Sequence, residues 1–238
     1  GMVNMANIDY HYRPTDDSDP FQTDIVILSG KQDRFMPKFN YKGFQFVEVS
    51  SSTPIQLSDE NLIAVEMHSD VPAIGYWSSS SELLNKIWKA TNSSYLANLF
   101  GYPTDCPQRE KNGWTGDAHI AIETGLYNFD GISIYEKWMN DFCDEQKDNG
   151  VLPCIIPTSV WGYDWANGVD WTSAVTIIPW EIYRFYGDTT LLRRMYGPIK
   201  KYVSYIESIS TNHLTDWGLG DWVPVRSKSN ITLTSSIY

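Results

Sequence analysis

From Ser78 onward the apolar residues return at helical intervals, and this rhythm limits the possible folds more than any other feature of the chain. In "SSSSELLNKIWKATNSSYLANLF" the serines suit an N-cap, and Leu84, Ile87, Trp88, Thr91 and Tyr95 recur at helical spacing. The same spacing predicts helices over 116–128 and 131–146, the second capped by Asp130, with Ile134, Trp138 and Phe142 on one face. Two more are expected over 171–186, containing Pro179, and over 189–209 after Asp188, with a kink at Gly197-Pro198. Short and long connections alternate between them, so this half reads as helical hairpins.

Ahead of residue 78 the pattern differs. "DIVILSG", "GFQFVEVS" and "NLIAVEMHS", within residues 24–75, are β-branched or aromatic runs separated by turn residues, and they predict strands. Residues 1–23 are polar and read as a loop or extended arm. The expected organisation is therefore a partial β-sandwich domain over 1–77 and a helical domain over 78–238. No run of about 18 apolar residues offers a membrane span. A net charge of −11 argues against nucleic acid, whose binders need a basic face, and suits an uncharged partner. Cys106, Cys143 and Cys154 have no metal-ligand spacing; with an odd number, at least one is a free thiol or pairs outside the chain. Gly1 ahead of Met2 resembles a scar of tag removal, and no signal peptide follows. The compartment stays open, with periplasmic and extracellular both admissible.

The two long connections carry the chemistry. Structureless loops beyond roughly 12 to 15 residues are uncommon in compact domains and are usually functional or disordered. Those over 99–115 and 149–170 hold Trp114, Trp161 and Trp165 beside several acids, a composition that disordered segments avoid. Within "YPTDCPQREKNGWTGD", Asp105, Glu110 and Asp117 are candidates for acid, base or hydroxyl-binding work. Breaking a glycosidic bond commonly takes two carboxyls, one protonating the leaving oxygen and one activating water or attacking carbon. An acid near a tryptophan in a water-poor pocket can hold its proton at neutral pH. The indole also offers a flat face to a sugar ring, while carboxylates accept from its hydroxyls. A plainer reading stands beside this one: Asp105 as a turn residue, Glu110 and Lys111 as a solvated pair, Asp117 as a helix-start charge. His68, His119 and His213 are dispersed and receive no role. Phosphate cradles, nucleophile elbows and zinc spacings are absent, so no cofactor or metal is expected.

"PTDCPQREKNGWTGDA" resembles the signature of bacterial α-L-rhamnosidases, glycoside hydrolase family 78. Upstream, "MPKFNYKGFQFVEV" is similar to the β-domain segment that precedes the catalytic domain, and "GYWSSSSELLNKIW" to the link into its first helix. Downstream, "GVDWTSAVTIIPWEIYRFYGDTTLL" and "LGDWVP" follow in the family's order. The resemblance implies a mainly α fold, an (α/α)6 barrel of paired helices behind β-sandwich domains, and inverting hydrolysis of terminal α-L-rhamnose. It places Glu110 at the general acid and Asp105 and Asp117 at acids that hold the sugar hydroxyls. Trp114 lies inside the signature, and Trp171 matches a downstream aromatic of the sugar site. Asp170, Trp165 and Asp221 enter by neighbourhood alone. Here Arg109 is followed directly by Glu110, the only carboxylate between Asp105 and Asp117.

A twelve-helix barrel needs roughly 300 residues or more at ordinary helix and loop lengths. The 238 residues hold about five predicted helices, so the expectation is the first half of the barrel behind part of a β-sandwich. The family's general base, a Glu of the later half, has no counterpart here. The missing half of the barrel is expected from the parent chain, and the chain alone is expected to be incomplete as an enzyme. Two other readings remain: a carbohydrate-binding or scaffold fragment without turnover, and an (α/α)6 glycosidase for another sugar.

Overall fold

The computed structural model describes residues 23–38, 40–158, 162–165, 167–225 and 228–238. Trp161 and residues 1–22 of the predicted arm lie outside the described residues. The chain divides into two compact units, Gly1–Met67 with Cys106–Lys111, and His68–Asp105 with Asn112–Tyr238.

The second unit is helical. Among its described residues are α1 (Glu82–Ala97), α2 (Thr115–Asn128), α3 (Ile132–Glu145), α4 (Val169–Thr172), α5 (Ala174–Tyr186), α6 (Thr190–Ile209) and α7 (Ile231–Ile237). Ser81 caps α1 by accepting the Leu84 amide. Asp130 does not cap α3. Gly131 stands at that position without a side-chain bond, and the Asp130 carboxylate accepts the Tyr186 hydroxyl at 2.8 Å instead. The helix expected over 171–186 is two, α4 and α5, meeting at Ser173. Pro179 sits inside α5, and α6 runs through Pro198 as one helix. Ahead of α6 the Asp188 carboxylate accepts the Thr190 amide at 2.8 Å.

Helices α2, α3, α5 and α6 build one core. Tyr135, Trp138, Met139 and Phe142 of α3 meet Ile178 and Ile182 of α5 and Leu191 and Met195 of α6, all fully buried. Trp138 and Phe142 lie on this buried face as the spacing predicts, whereas Ile134, the third residue of the predicted face, is only partly buried and packs against a second, smaller cluster. The Trp138 indole N–H donates to the Ile156 carbonyl at 2.8 Å, so the ring is buried with its polar edge satisfied. A smaller cluster of Val71, Leu99 and Phe129 joins the start of this unit to the end of α2, with Tyr95 stacked on Phe129.

The first unit departs from expectation. No β-strand forms among the described residues of 23–67, and Ile25, Ile27 and Ile63 are 87%, 94% and 68% exposed. The strand prediction for 24–75 is therefore corrected. An apolar alternating run becomes a strand only when a neighbour takes up its N–H and C=O groups, and these runs find no ladder partner among the described residues. Lys42 pairs with Asp24 at 3.4 Å. All three cysteines are free thiols, with Cys154 buried and Cys143 exposed.

Candidate active site

The charged loop closes at its neck. The Asp105 amide donates to the Asn112 carbonyl at 3.0 Å, and the Asn112 amide donates back to Asp105 Oδ1 at 3.0 Å. Asp105 is half-buried there, so one of its carboxylate oxygens has the turn-closing part of the plainer reading. Beyond the neck the chain pairs briefly with the second long loop. Trp114 forms a bridge with Ile155, the Ile156 amide donates to the Gly113 carbonyl (2.9 Å), and the Thr115 amide donates to the Cys154 carbonyl (2.9 Å). A Cβ on Gly113 would lie 1.9 Å from the Ile156 carbonyl oxygen, so only glycine allows this approach.

Helix α2 starts at this point. Asp117 stands exposed in its first turn, where a carboxylate is favoured by the amide end of the helix. Trp171 of α4 lies on Gly116. A Cβ there would meet three indole atoms at 2.6 to 2.7 Å, which makes this glycine the seat of the ring. The Trp171 indole N–H is buried and has no hydrogen-bond partner among the described residues. A buried donor without an acceptor is costly, and this one lies against the first turn of α2 at Gly116.

Asp170 and His119 fix α4 from below. The buried Asp170 carboxylate accepts the Gly220 amide (2.6 Å) and the Leu219 amide (3.2 Å), and its carbonyl lies 3.0 Å from His119 Nε2. Burial raises the Asp170 carboxyl above its ordinary value, and the amides of Gly220 and Leu219 offset part of that rise. Burial lowers the His119 imidazole, partly offset by the carbonyl and charge of Asp170. The Thr172 hydroxyl, bonded to Gly168 and 2.6 Å from the Tyr202 hydroxyl, secures the same turn. Sequence reasoning gave His119 no role and reached Asp170 only as a neighbour of Trp171. No local pattern marks a histidine whose partner lies so far along the chain.

Asp105, Trp114, Asp117 and Trp171 thus belong to one unit, and Trp171 packs on Gly116, the residue before Asp117. Glu110 belongs to the other unit, with Cys106–Lys111, and its side chain is exposed. Its amide donates to Cys106 Sγ at 3.3 Å. Trp165 is 62% exposed, and Asp221 is exposed with its carboxylate accepting the Val223 amide. Among the described residues no helix is long and apolar enough to cross a membrane.

Helical hairpins carrying an acid-rich loop define the architectural class, and comparison with known proteins narrows it. Residues 72–238 match the family described as bacterial alpha-L-rhamnosidase 6 hairpin glycosidase domain, and residues 2–68 match its concanavalin-like domain. The chain belongs to this bacterial alpha-L-rhamnosidase family, as the signature resemblance implied. An alpha-L-rhamnosidase of Alteromonas sp. (strain LOR) is 33% identical over 192 residues, covering 79% of this chain and 21% of the relative. The solved alpha-L-rhamnosidase of Dictyoglumus thermophilum superposes with a TM-score of 0.67 at 36% identity, over 71% of this chain and 20% of that one. The Streptomyces avermitilis alpha-L-rhamnosidase, solved in complex with L-rhamnose, gives 0.67 at 26% identity, over 71% and 16%. The chain thus spans about a fifth of the length of the curated relatives it matches.

Proposed function

We propose that the chain contributes the acid-bearing part of an inverting α-L-rhamnosidase, with domains over 1–77 and 78–238. The observation that carries this reading is the family match over residues 72–238, which contains the whole charged loop and α2 to α7. Glu110 gives its carboxyl proton to the glycosidic oxygen as the bond from that oxygen to the anomeric carbon breaks. Water then adds to the anomeric carbon from the opposite face and loses its proton to a second carboxylate. That second carboxylate is assigned to a part of the parent protein outside these residues, in keeping with the chain's share of its relatives' length. Asp105 and Asp117 accept hydrogen bonds from rhamnose hydroxyls. Trp114 and Trp171 offer faces to the ring.

The test uses the full-length protein that carries this chain. Glu110→Gln should lower the rate on alkyl α-L-rhamnosides by roughly 100-fold or more, the scale of general acid catalysis. Nitrophenyl rhamnosides, whose leaving groups need little protonation, should lose much less. Equal losses on both substrates would remove Glu110 from proton transfer.

A further inference from the structure

The residues on either side of Glu110 reach the same short stretch of chain. On one side, Lys111 Nζ donates to the Tyr41 carbonyl at 2.6 Å and to Asn40 Oδ1 at 3.3 Å, and sits 4.7 Å from the centre of the Tyr41 ring. On the other, Gln108 packs so tightly on Gly43 that a Cβ there would lie 2.8 Å from Gln108 Cβ, 2.9 Å from its amide nitrogen and 3.0 Å from its Cα. Backbone atoms cannot swing away as the end of a flexible side chain can. Between these anchors the turn closes on itself, with the Lys111 amide donating to the Cys106 carbonyl at 3.2 Å and the Glu110 amide donating to Cys106 Sγ. Lys111 holds a φ of 55°, a left-handed conformation that a side-chain-bearing residue keeps only when its surroundings enforce it. The ammonium that the plainer sequence reading placed in solvent is seated on Tyr41.

We propose that Lys111 and Gly43 are positioning residues for the proton donor, and that residues 40–43 hold the turn presenting Glu110. This gives a role to the segment matched by the concanavalin-like family, whose span over 2–68 includes these residues. The inference rests on the assignment of Glu110 as the acid. The restraint is geometric. A general acid acts only within hydrogen-bond reach of the oxygen it protonates, and a displacement of about 1 Å can cost roughly 100-fold. Loosening either anchor leaves the carboxyl in place chemically but lets its direction wander.

In the full-length protein, Lys111→Met keeps the stem and removes the charge. We expect kcat on an alkyl α-L-rhamnoside to fall about 10-fold to 100-fold. The loss on nitrophenyl rhamnoside should be smaller, and rhamnose affinity by calorimetry should stay unchanged. Lys111→Arg retains a cation that can lie over the Tyr41 ring and should restore most of the loss. Gly43→Ala, which must push the Gln108 backbone, should reproduce the Lys111→Met pattern by an independent route. Equal losses on both substrates, an altered rhamnose affinity, or full activity in both variants would overturn the proposal. If Lys111→Met fails to fold, the Arg and Gly43→Ala variants carry the test. A full-length protein without rhamnosidase activity, or one indifferent to Glu110→Gln, would instead defeat the assignment of the acid.

Discussion

Helix α3 and the run around Ile27 are both rich in apolar residues, yet one forms a core and the other does not. In α3, Tyr135, Trp138, Met139 and Phe142 are fully buried, whereas Ile25 and Ile27 are 87% and 94% exposed. The difference lies in the backbone. A helix bonds its own N–H and C=O groups, so a correct apolar period suffices to present a stripe to a neighbour. A strand must borrow half its bonds from another segment, and its pattern remains a promise until that segment arrives. Local sequence therefore specifies the helical unit far more completely than it specifies residues 23–67.

The largest expected effect tests this contrast directly. Trp138→Ala removes a fully buried indole and its bond to Ile156, and should cost about 3 to 5 kcal/mol. Ile27→Ser, at a site 94% exposed, should change stability by no more than about 0.5 kcal/mol. Urea unfolding followed by circular dichroism would read both without relying on tryptophan emission. A large penalty for Ile27→Ser would break the comparison, because it would mean that this run is covered in solution.

The same distinction explains what the sequence made legible. Helices α1, α2, α3 and α6 were readable because their apolar period repeats over several turns. Helix α7 was not: Ile231–Ile237 is short and rich in Thr and Ser, and Ser236 is tied to Thr215 by two hydrogen bonds that only the tertiary fold supplies. The break at Ser173 between α4 and α5 was equally invisible, since Trp171, Thr172 and Ala174 all fit a single helix. Among the candidate site residues, the identities of Asp105, Trp114, Asp117 and Trp171 stood in the sequence. The reason for Gly116 did not, because its crowding partner Trp171 lies on a different helix. Trp161, which helped to mark the second loop as functional, lies outside the described residues.

A middle-sized effect separates the neck of the loop from the start of α2. Asp105→Asn retains an oxygen that can accept the Asn112 amide, so the neck should survive and only the charge should go. Asp117→Asn removes a charge from an exposed first turn without touching the core. Charge-assisted hydrogen bonds contribute roughly 1.5 to 3 kcal/mol each, so rhamnose affinity should weaken by about one to two decades in either variant. The ratio of alkyl to nitrophenyl rhamnoside rates, which reads proton donation, should stay where it is. Unchanged affinity with a loss confined to alkyl rhamnosides would make one of these aspartates the proton donor. A loss confined to Asp117→Asn would leave Asp105 with its turn alone.

The smallest effect concerns the buried pair beneath α4, where His119 and Asp170 pull in opposite directions. Burial lowers the His119 imidazole below its ordinary value, so as pH falls through about 6.5 the unfolded chain takes the proton first. Stability from this group is complete above that pH and is lost toward the folded value. Burial raises the Asp170 carboxyl, so as pH climbs above about 3.9 the unfolded chain ionises first and the folded state loses ground. The two slopes therefore have opposite signs, the histidine acting nearer neutrality. His119→Gln keeps an amide that can donate to the Asp170 carbonyl but cannot titrate. Urea midpoints at about pH 7.5 and about pH 5.5 bracket the ordinary histidine range. The wild-type chain should lose more stability between them than His119→Gln does. Equal losses in the two proteins would mean that His119 exchanges protons as freely when folded as when unfolded, and that the floor of the Trp171 turn is open to water.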